Sequence, residues 1–409
     1  MFNRSLFSLT ALFFAVGFGT TLLYATAAQS AKEETPLHHV SSSACGSCHQ
    51  KIYKQWSGSM HANSTAIKDP IHGSFYQMLV GDPTQEGLTT KDGKYPNCLQ
   101  CHAPNAARDQ KTKLDEMAAY SEGVNCVACH TIRHAKGPIA NSQLGAQSYD
   151  YSTTALQGPN GAFSGSRPAK APGGNGSTLD NPFAHEAQSS LFRSSELCLG
   201  CHESRNNGKG IPVCATGPEV VKSGNTVTCQ SCHMPVVDGV VDHFMAGGHS
   251  PEMVKRGLSF SISGVSSKTG AQATVHLKNH LAHNLPTGAP FRNLFITVVA
   301  YDAKGETVWS NYKTSPFAED TKSVLMLFLV DDDGKPVPPP MATKIAQDSR
   351  LTANESRDIV YDIPVLGVAK IRAEIRYDLL PPALKNKFAK TIPESLREPA
   401  LIAIAETGL

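Results

Sequence analysis

Five times the chain spells Cys-x-x-Cys-His: Cys45-Cys48-His49, Cys98-Cys101-His102, Cys126-Cys129-His130, Cys198-Cys201-His202 and Cys229-Cys232-His233. This pattern is the attachment site of a c-type haem. The two thiols add across the vinyl groups of the macrocycle. The adjacent histidine is placed to bind iron from one face. Covalent attachment at five points predicts five haem c groups, which would supply much of the apolar core. Gly and Pro together number 59 among 409 residues, which suits long irregular connections wrapped around such groups.

Structural zinc also uses Cys-x-x-Cys pairs. Zinc knuckles pair up two at a time and need no histidine directly after the second cysteine. Here every pair has that histidine, and the number of pairs is odd. Ten of the 11 cysteines lie in the motifs, leaving Cys214 alone. With haem on all five motifs no intrachain disulfide can form, and Cys214 reads as a small buried hydrophobe, with a thiolate ligand or a reactive thiol as the alternatives. The N-terminus points to export. Arg4 is the only charge in residues 1–31, Leu6 to Tyr24 is mostly apolar, and Ala25-Thr26-Ala27 is a small-residue cleavage site. The segment is an export signal or an uncleaved membrane anchor. In both cases the rest of the chain lies in the periplasm or outside the cell. The formal net charge of +2 gives no reason to expect nucleic acid as a partner.

All five motifs fall between Cys45 and His233. Beyond about residue 250 cysteine disappears and β-type alternation begins. In Ala369-Lys370-Ile371-Arg372-Ala373-Glu374-Ile375-Arg376-Tyr377 the odd positions are apolar and the even positions charged, which predicts a strand with one buried face. Leu258–Ile262, Ala273–Leu277, Leu294–Tyr301, Thr307–Tyr312, Val324–Val330 and Asp358–Ile363 have the same character. Asp302-Ala303-Lys304-Gly305 reads as a hairpin turn between two of them. Seven short strands suggest an Ig-like β-sandwich. The expected architecture is α+β and multidomain. A signal peptide or anchor covers 1–31. A loop-rich, mostly helical pentahaem domain covers 38–250, a β-sandwich domain 251–380, and a helical tail 381–409, with helix at Pro382–Lys390 and Leu396–Glu406. Residues Ala135 to Asn181, which include Gly173-Gly174-Asn175-Gly176-Ser177, read as a long connection.

The sixth ligand of each iron decides function: a second strong ligand favours electron transfer, and an open position permits chemistry. Eleven of the 16 histidines lie outside the motifs, so supply exceeds need. His61, His134, His185, His243, His249 and His283 are the candidate distal ligands. Were His130 and His134 one helical turn apart on one face, His134 could not cap the haem held by His130. It would have to reach a neighbour. A helix through Gln50–Met60 would set His49 and His61 about 18 Å apart, so His61 also serves a different haem. Tyr53 and Trp56, between them, face a macrocycle or the core. Either His243 or His249 is expected as a ligand, with Gly247-Gly248 allowing close backbone approach. His283 lies in a turn of the β region, as a ligand across the domain boundary or a turn residue. His276 faces the polar side of its strand. His38, His39, His72 and His280 read as surface histidines. Met234 is too close to His233 to bind the far side of that iron.

Several segments are familiar. Cys45-Gly-Ser-Cys48-His49, followed by Tyr53, Trp56 and Ser59-Met60-His61-Ala62, resembles the first haem segment of multihaem cytochromes. Those are the cytochromes related to hydroxylamine oxidoreductase and to the tetrahaem electron carriers of ammonia oxidation. Ser194-Ser195-Glu196-Leu197-Cys198, Cys229-Gln-Ser-Cys232-His233-Met234-Pro235 and His243-Phe-Met-Ala-Gly-Gly-His249 are similar to the same superfamily. His283-Asn-Leu-Pro-Thr-Gly288 with Arg292 is similar to a C-terminal β domain found on many multihaem cytochromes. The resemblance implies stacked haem pairs, mostly bis-histidine iron, and His61 serving a haem other than the first. It implies electron transfer more than catalysis. The chain departs in having five motifs, against four haems in the carriers and eight in the oxidoreductases. Pentahaem nitrite reductases replace one motif histidine with lysine, whereas all five here are histidine. No tyrosine matches the catalytic cross-link of hydroxylamine oxidoreductase.

Three functions follow from these residues. The first is electron transfer through closely spaced, mostly bis-histidine haems, with other cytochromes or membrane quinol-linked complexes as redox partners. The second is a reductase or oxidase of small nitrogen or sulfur compounds with one open haem. The third is self-assembly as a subunit of an extracellular haem filament. The first fits best, and no catalytic residue is assigned.

Overall fold

Alternation builds the C-terminal half. The computed structural model describes residues 35–136, 145–159 and 183–409. The expected export segment and the Gly173–Ser177 run lie outside the described residues. Ten strands follow residue 257: β1 (Leu258–Ser267), β2 (Gly270–Asn279), β3 (Asn293–Asp302), β4 (Thr307–Ser310), β5 (Val324–Leu325), β6 (Leu327–Val330), β7 (Lys344–Asp348), β8 (Ser356–Ile363), β9 (Val368–Asp378) and β10 (Ala400–Gly408). One antiparallel sheet has the order β8-β2-β1. The other runs β4-β3-β9-β10, with β5 also on β3, and β6 pairs with β7. The odd positions of β9, Ile371, Ala373, Ile375 and Tyr377, are buried. So are Ala271, Ala273, Val275 and Leu277 of β2 and Leu294, Ile296, Val298 and Ala300 of β3. Both sheets contribute these side chains to one apolar cluster. Their period of two is the pleat itself.

The tail corrects the sequence reading. A helix, α4, does form at Pro382–Lys387, but the segment expected as a second helix is β10. It pairs antiparallel with β9, with Ala405 opposite Ala373 and Ala403 opposite Ile375. Ile402 reaches the core at 7% exposure. Ala, Leu and Glu favour helix by propensity, yet a free edge of β9 and a place for Ile402 in the core outweigh a few tenths of a kcal/mol per residue.

Upstream, helices are short and caps are local. Asp69 accepts the Ile71 N–H at 2.9 Å and Pro70 occupies the first turn, which starts α2 (Pro70–Leu79). Before it, α1 (Gln50–Ser57) ends at Gly58, so His61 sits in a turn beyond the helix rather than within it. Trp56 is buried and donates its indole N–H to the Val124 carbonyl at 2.9 Å; Tyr53 packs against it with ring centroids 5.7 Å apart. The helix that carries the third motif stops at His130, and His134 stands exposed on the strand Ile132–Ala135. The helical spacing assumed for His130 and His134 therefore does not hold. Within the expected long connection, Tyr149–Tyr151 pairs with Ile132–Ala135, and Ala155–Gly158 with Ala184–Ala187. Residues Pro36–Leu409 form one compact unit.

Candidate functional site

Each Cys-x-x-Cys-His sequence lies on or beside a short helix. The motifs at Cys126–His130 and Cys229–His233 are each a five-residue helix, and the fourth motif closes the helix Glu196–His202. Asn125 caps the third, its Oδ1 accepting the Ala128 N–H at 3.0 Å. The fold this imposes puts both thiols and the imidazole of a motif within one turn, as attachment to a single macrocycle requires. All 11 cysteines are free thiols. Close packing reaches the second motif, where Gly145 has φ +54° and a Cβ would run into the Gln100 carbonyl and Cys101 Sγ.

Motifs meet out of chain order. Cys45 and Cys126 lie close enough to shift one another's titration, as do Cys101 with Cys201 and Cys198 with Cys229. The first motif thus adjoins the third, and the fourth adjoins both the second and the fifth.

Three motif histidines face a second histidine from elsewhere in the chain. Ring centroids are 6.2 Å apart for His61 and His202, 6.5 Å for His130 and His243, and 6.4 Å for His233 and His283. A metal–imidazole bond is about 2 Å long, so two imidazoles trans on one metal hold their centroids roughly 6 Å apart. The other ring nitrogens are consistent with this. Nδ1 of His130 donates to the Gln157 carbonyl at 2.7 Å, and Nδ1 of His233 to Ala246 at 2.6 Å. Nδ1 of His243 donates to Val241 at 2.8 Å and that of His283 to Asn284 at 2.9 Å. His61 places Nδ1 at 2.8 Å from Met245 Sδ. A carbonyl partner fixes the proton on Nδ1 and leaves the Nε2 lone pair for a metal. Burial, reinforced by His202 and its neighbours, pushes His61 down to about 3, so the ring stays neutral. Free thiols and paired rings fit haem c.

The remaining candidates divide. His185 donates Nδ1 to the Phe183 carbonyl at 2.8 Å and lies near enough to His130 to depress its pKa. His249 is pushed down to about 4 by burial and by Arg292. His276 is on the polar face as expected, bridging Asp358 and Ser263 at 2.8 and 2.9 Å. Burial raises the Cys214 thiol, which suits an inert hydrophobe. Sequence reasoning missed His72. Its Nε2 is buried without a partner, and its ring lies 4.0 Å from that of His102. Both rings hydrogen-bond the Ser64 carbonyl through Nδ1, at 2.8 and 3.0 Å. A signal was present: Asp69-Pro70 starts a helix whose buried face holds Tyr76, four residues after His72. His38 and His39 are not free surface residues either. Both bond the Asp109 carboxylate, at 2.8 and 2.7 Å, and Tyr120 donates to it at 2.6 Å. The three donors satisfy that carboxylate among themselves, and the group pins the start of the described chain.

Among the described residues no helix is long and apolar enough to cross a membrane. A family model described as "Cytochrome c554 and c-prime" matches residues 44–131. None of the curated proteins compared matches the chain. Among solved structures, the penta-heme cytochrome c552 from Thermochromatium tepidum is 46% identical. The alignment covers 91% of this chain and 100% of that one, with a TM-score of 0.85. The X-ray structure of Northeast Structural Genomics Consortium target SoR45 aligns with 11% identity over 37% of this chain and 86% of its own, at a TM-score of 0.17, and bears on nothing here. With nearly half its residues identical across the full length of that cytochrome, and with the thiols and imidazoles disposed as described, the chain belongs to the same family, the multihaem c-type cytochromes.

Proposed function

We propose that the chain carries electrons through five haems c, one on each motif, outside the cytoplasm. The observation that carries this reading is the set of three imidazole pairs at 6.2–6.5 Å. In it His61 serves the iron of His202, His243 that of His130, and His283 that of His233. Haem iron with two imidazole ligands exchanges one electron and presents no open position to a substrate. The chain's own part is to hold Nε2 of His130, His233, His243 and His283 in place through their Nδ1 hydrogen bonds to carbonyls. His134, His185 and His249 remain the candidates for the irons of His49 and His102. The out-of-order meeting of motifs supports the stacked haem pairs that the resemblance to the hydroxylamine oxidoreductase superfamily implies, and two sheets around one core support an Ig-like sandwich. Other cytochromes or quinol-linked membrane complexes are the partners this role needs.

A second reading has its own observation. His72 and His102 bond one carbonyl and lie 4.0 Å apart, too close to be trans on a metal. Among the described residues no ring faces His49 or His102 at 6.2–6.5 Å, so the irons of these two motifs are the candidates for an open position and for chemistry on a small ligand. Electron paramagnetic resonance of the oxidised, haem-loaded protein tests both readings. The His61→Ala variant is expected to convert one low-spin haem to high spin; an unchanged spectrum refutes the pairing of His61 with His202. Cyanide binding to one haem of the wild type supports the second reading, and five low-spin signals without cyanide binding end it.

A further inference from the structure

Glu219 lies on α3 (Thr216–Ser223), between the fourth and fifth motifs. It is 8% exposed, and its charge partner Arg350 is 9% exposed. Oε1 accepts from Arg350 Nη1 at 2.7 Å. The other face of that guanidinium grips Asp348 through Nε and Nη2, both at 2.8 Å. Oε2 accepts the Asn284 N–H at 3.1 Å and the Thr287 hydroxyl at 2.5 Å. Thr287 in turn meets the hydroxyl of Thr216 at 3.0 Å. Every donor to Glu219 named here therefore comes from the β-rich half, and two of the three come from the loop that begins at His283.

That loop is held on its other side as well. The buried Asn279 donates Nδ2 to the His283 carbonyl at 2.9 Å. Leu285 and Leu351 exchange backbone hydrogen bonds at 2.8 and 3.0 Å, which ties the loop to the residue after Arg350. His283 is thus gripped through its own carbonyl and through the N–H that follows it. At the far end of the same network, α3 leads within a few residues into the motif that ends at His233. A buried ion pair contributes little net stability compared with an apolar pair, and its best-attested role is to fix register. The register fixed here is that of His283 against His233.

We infer that Glu219 and Arg350 form a clasp that positions His283 on the iron of His233, so that this haem takes one axial ligand from each half of the molecule. The inference rests on the reading of His283 as the partner of His233. Neither Glu219 nor Arg350 touches the iron; both act through the loop. Loss of the clasp leaves His283 in the chain but lets it leave the metal.

The test compares His283→Ala and Glu219→Ala in the full, haem-loaded chain by electron paramagnetic resonance and by the rate of cyanide binding. His283→Ala is expected to raise the high-spin signal by one haem, and added imidazole to reverse it. Glu219→Ala is expected to retain a mainly low-spin haem that cyanide enters at least ten times faster than in the wild type. A spin state unchanged in His283→Ala refutes the ligand assignment. A normal His283→Ala result with a wild-type cyanide rate in Glu219→Ala overturns the clasp alone. Should Glu219→Ala fail to load haem, Thr287→Val removes a single bond to Oε2. It is expected to raise the cyanide rate in the same direction by a smaller factor, and a wild-type rate there also overturns the clasp.

Discussion

Asp109 shows how much one side chain can hold at the residue scale. Burial alone would raise its carboxyl, but hydrogen bonds from Tyr120, His39 and His38 outweigh burial and hold it below the usual carboxylate range. Burial lowers His38. Both shifts make acid destabilising. Below about pH 6.5 an unfolded His38 takes a proton that the folded one refuses, and below about pH 4 the unfolded carboxylate does the same. Thermal midpoints should therefore fall as pH drops from 7 to 3. Asp109→Asn should cost about 1–2 kcal/mol at pH 7 and flatten the slope below about pH 4. An equally steep slope in the variant would refute the role given to the carboxylate. None of this was legible in the chain. His38 and His39 look like surface residues because their acceptor is 71 and 70 positions away.

At the scale of elements, alternation in residues 369–377 announced β9 because a strand with one buried face has no other way to present its apolar side chains. The same argument does not reach β10, because residues 400–405 are all apolar and show no alternation. Ala400-Leu-Ile-Ala-Ile-Ala-Glu reads as helix alone and becomes a strand because β9 offers an edge. Ile402 is the side chain that roots it in the shared core. Ile402→Ala should cost about 2–4 kcal/mol, measured as a loss in thermal midpoint. Leu401, at 37% exposure, should tolerate the same change with little loss.

Across the whole molecule, a small aromatic cluster joins the motif-bearing half to the β-rich half. Ile71 and Phe75 of α2 pack with Phe291 and with Leu380, Leu384 and Phe388 around α4. Phe75 stacks on Phe291 at 5.3 Å and meets Phe388 edge-on at 5.0 Å, and Ser74 and Thr391 share a hydrogen bond of 2.6 Å. Phe388→Ala should cost about 3–5 kcal/mol. The Soret band and the far-ultraviolet signal should shift together, because both halves then unfold as one unit. Separate transitions in the wild type would contradict that coupling.

Cofactor chemistry was written in the sequence because it is local: two thiols and an imidazole within five residues are enough to attach a haem. The buried faces of β2, β3 and β9 were equally local, since their period is that of a single strand. The far side of each iron is a different problem. Trans ligands approach from opposite directions, so they must come from segments that only folding brings together. His61 meets His202, His130 meets His243, and His233 meets His283 across the turn held by Glu219. Tertiary structure alone set the first motif beside the third, moved His72 and His102 against one carbonyl, and withdrew His134 to an exposed strand.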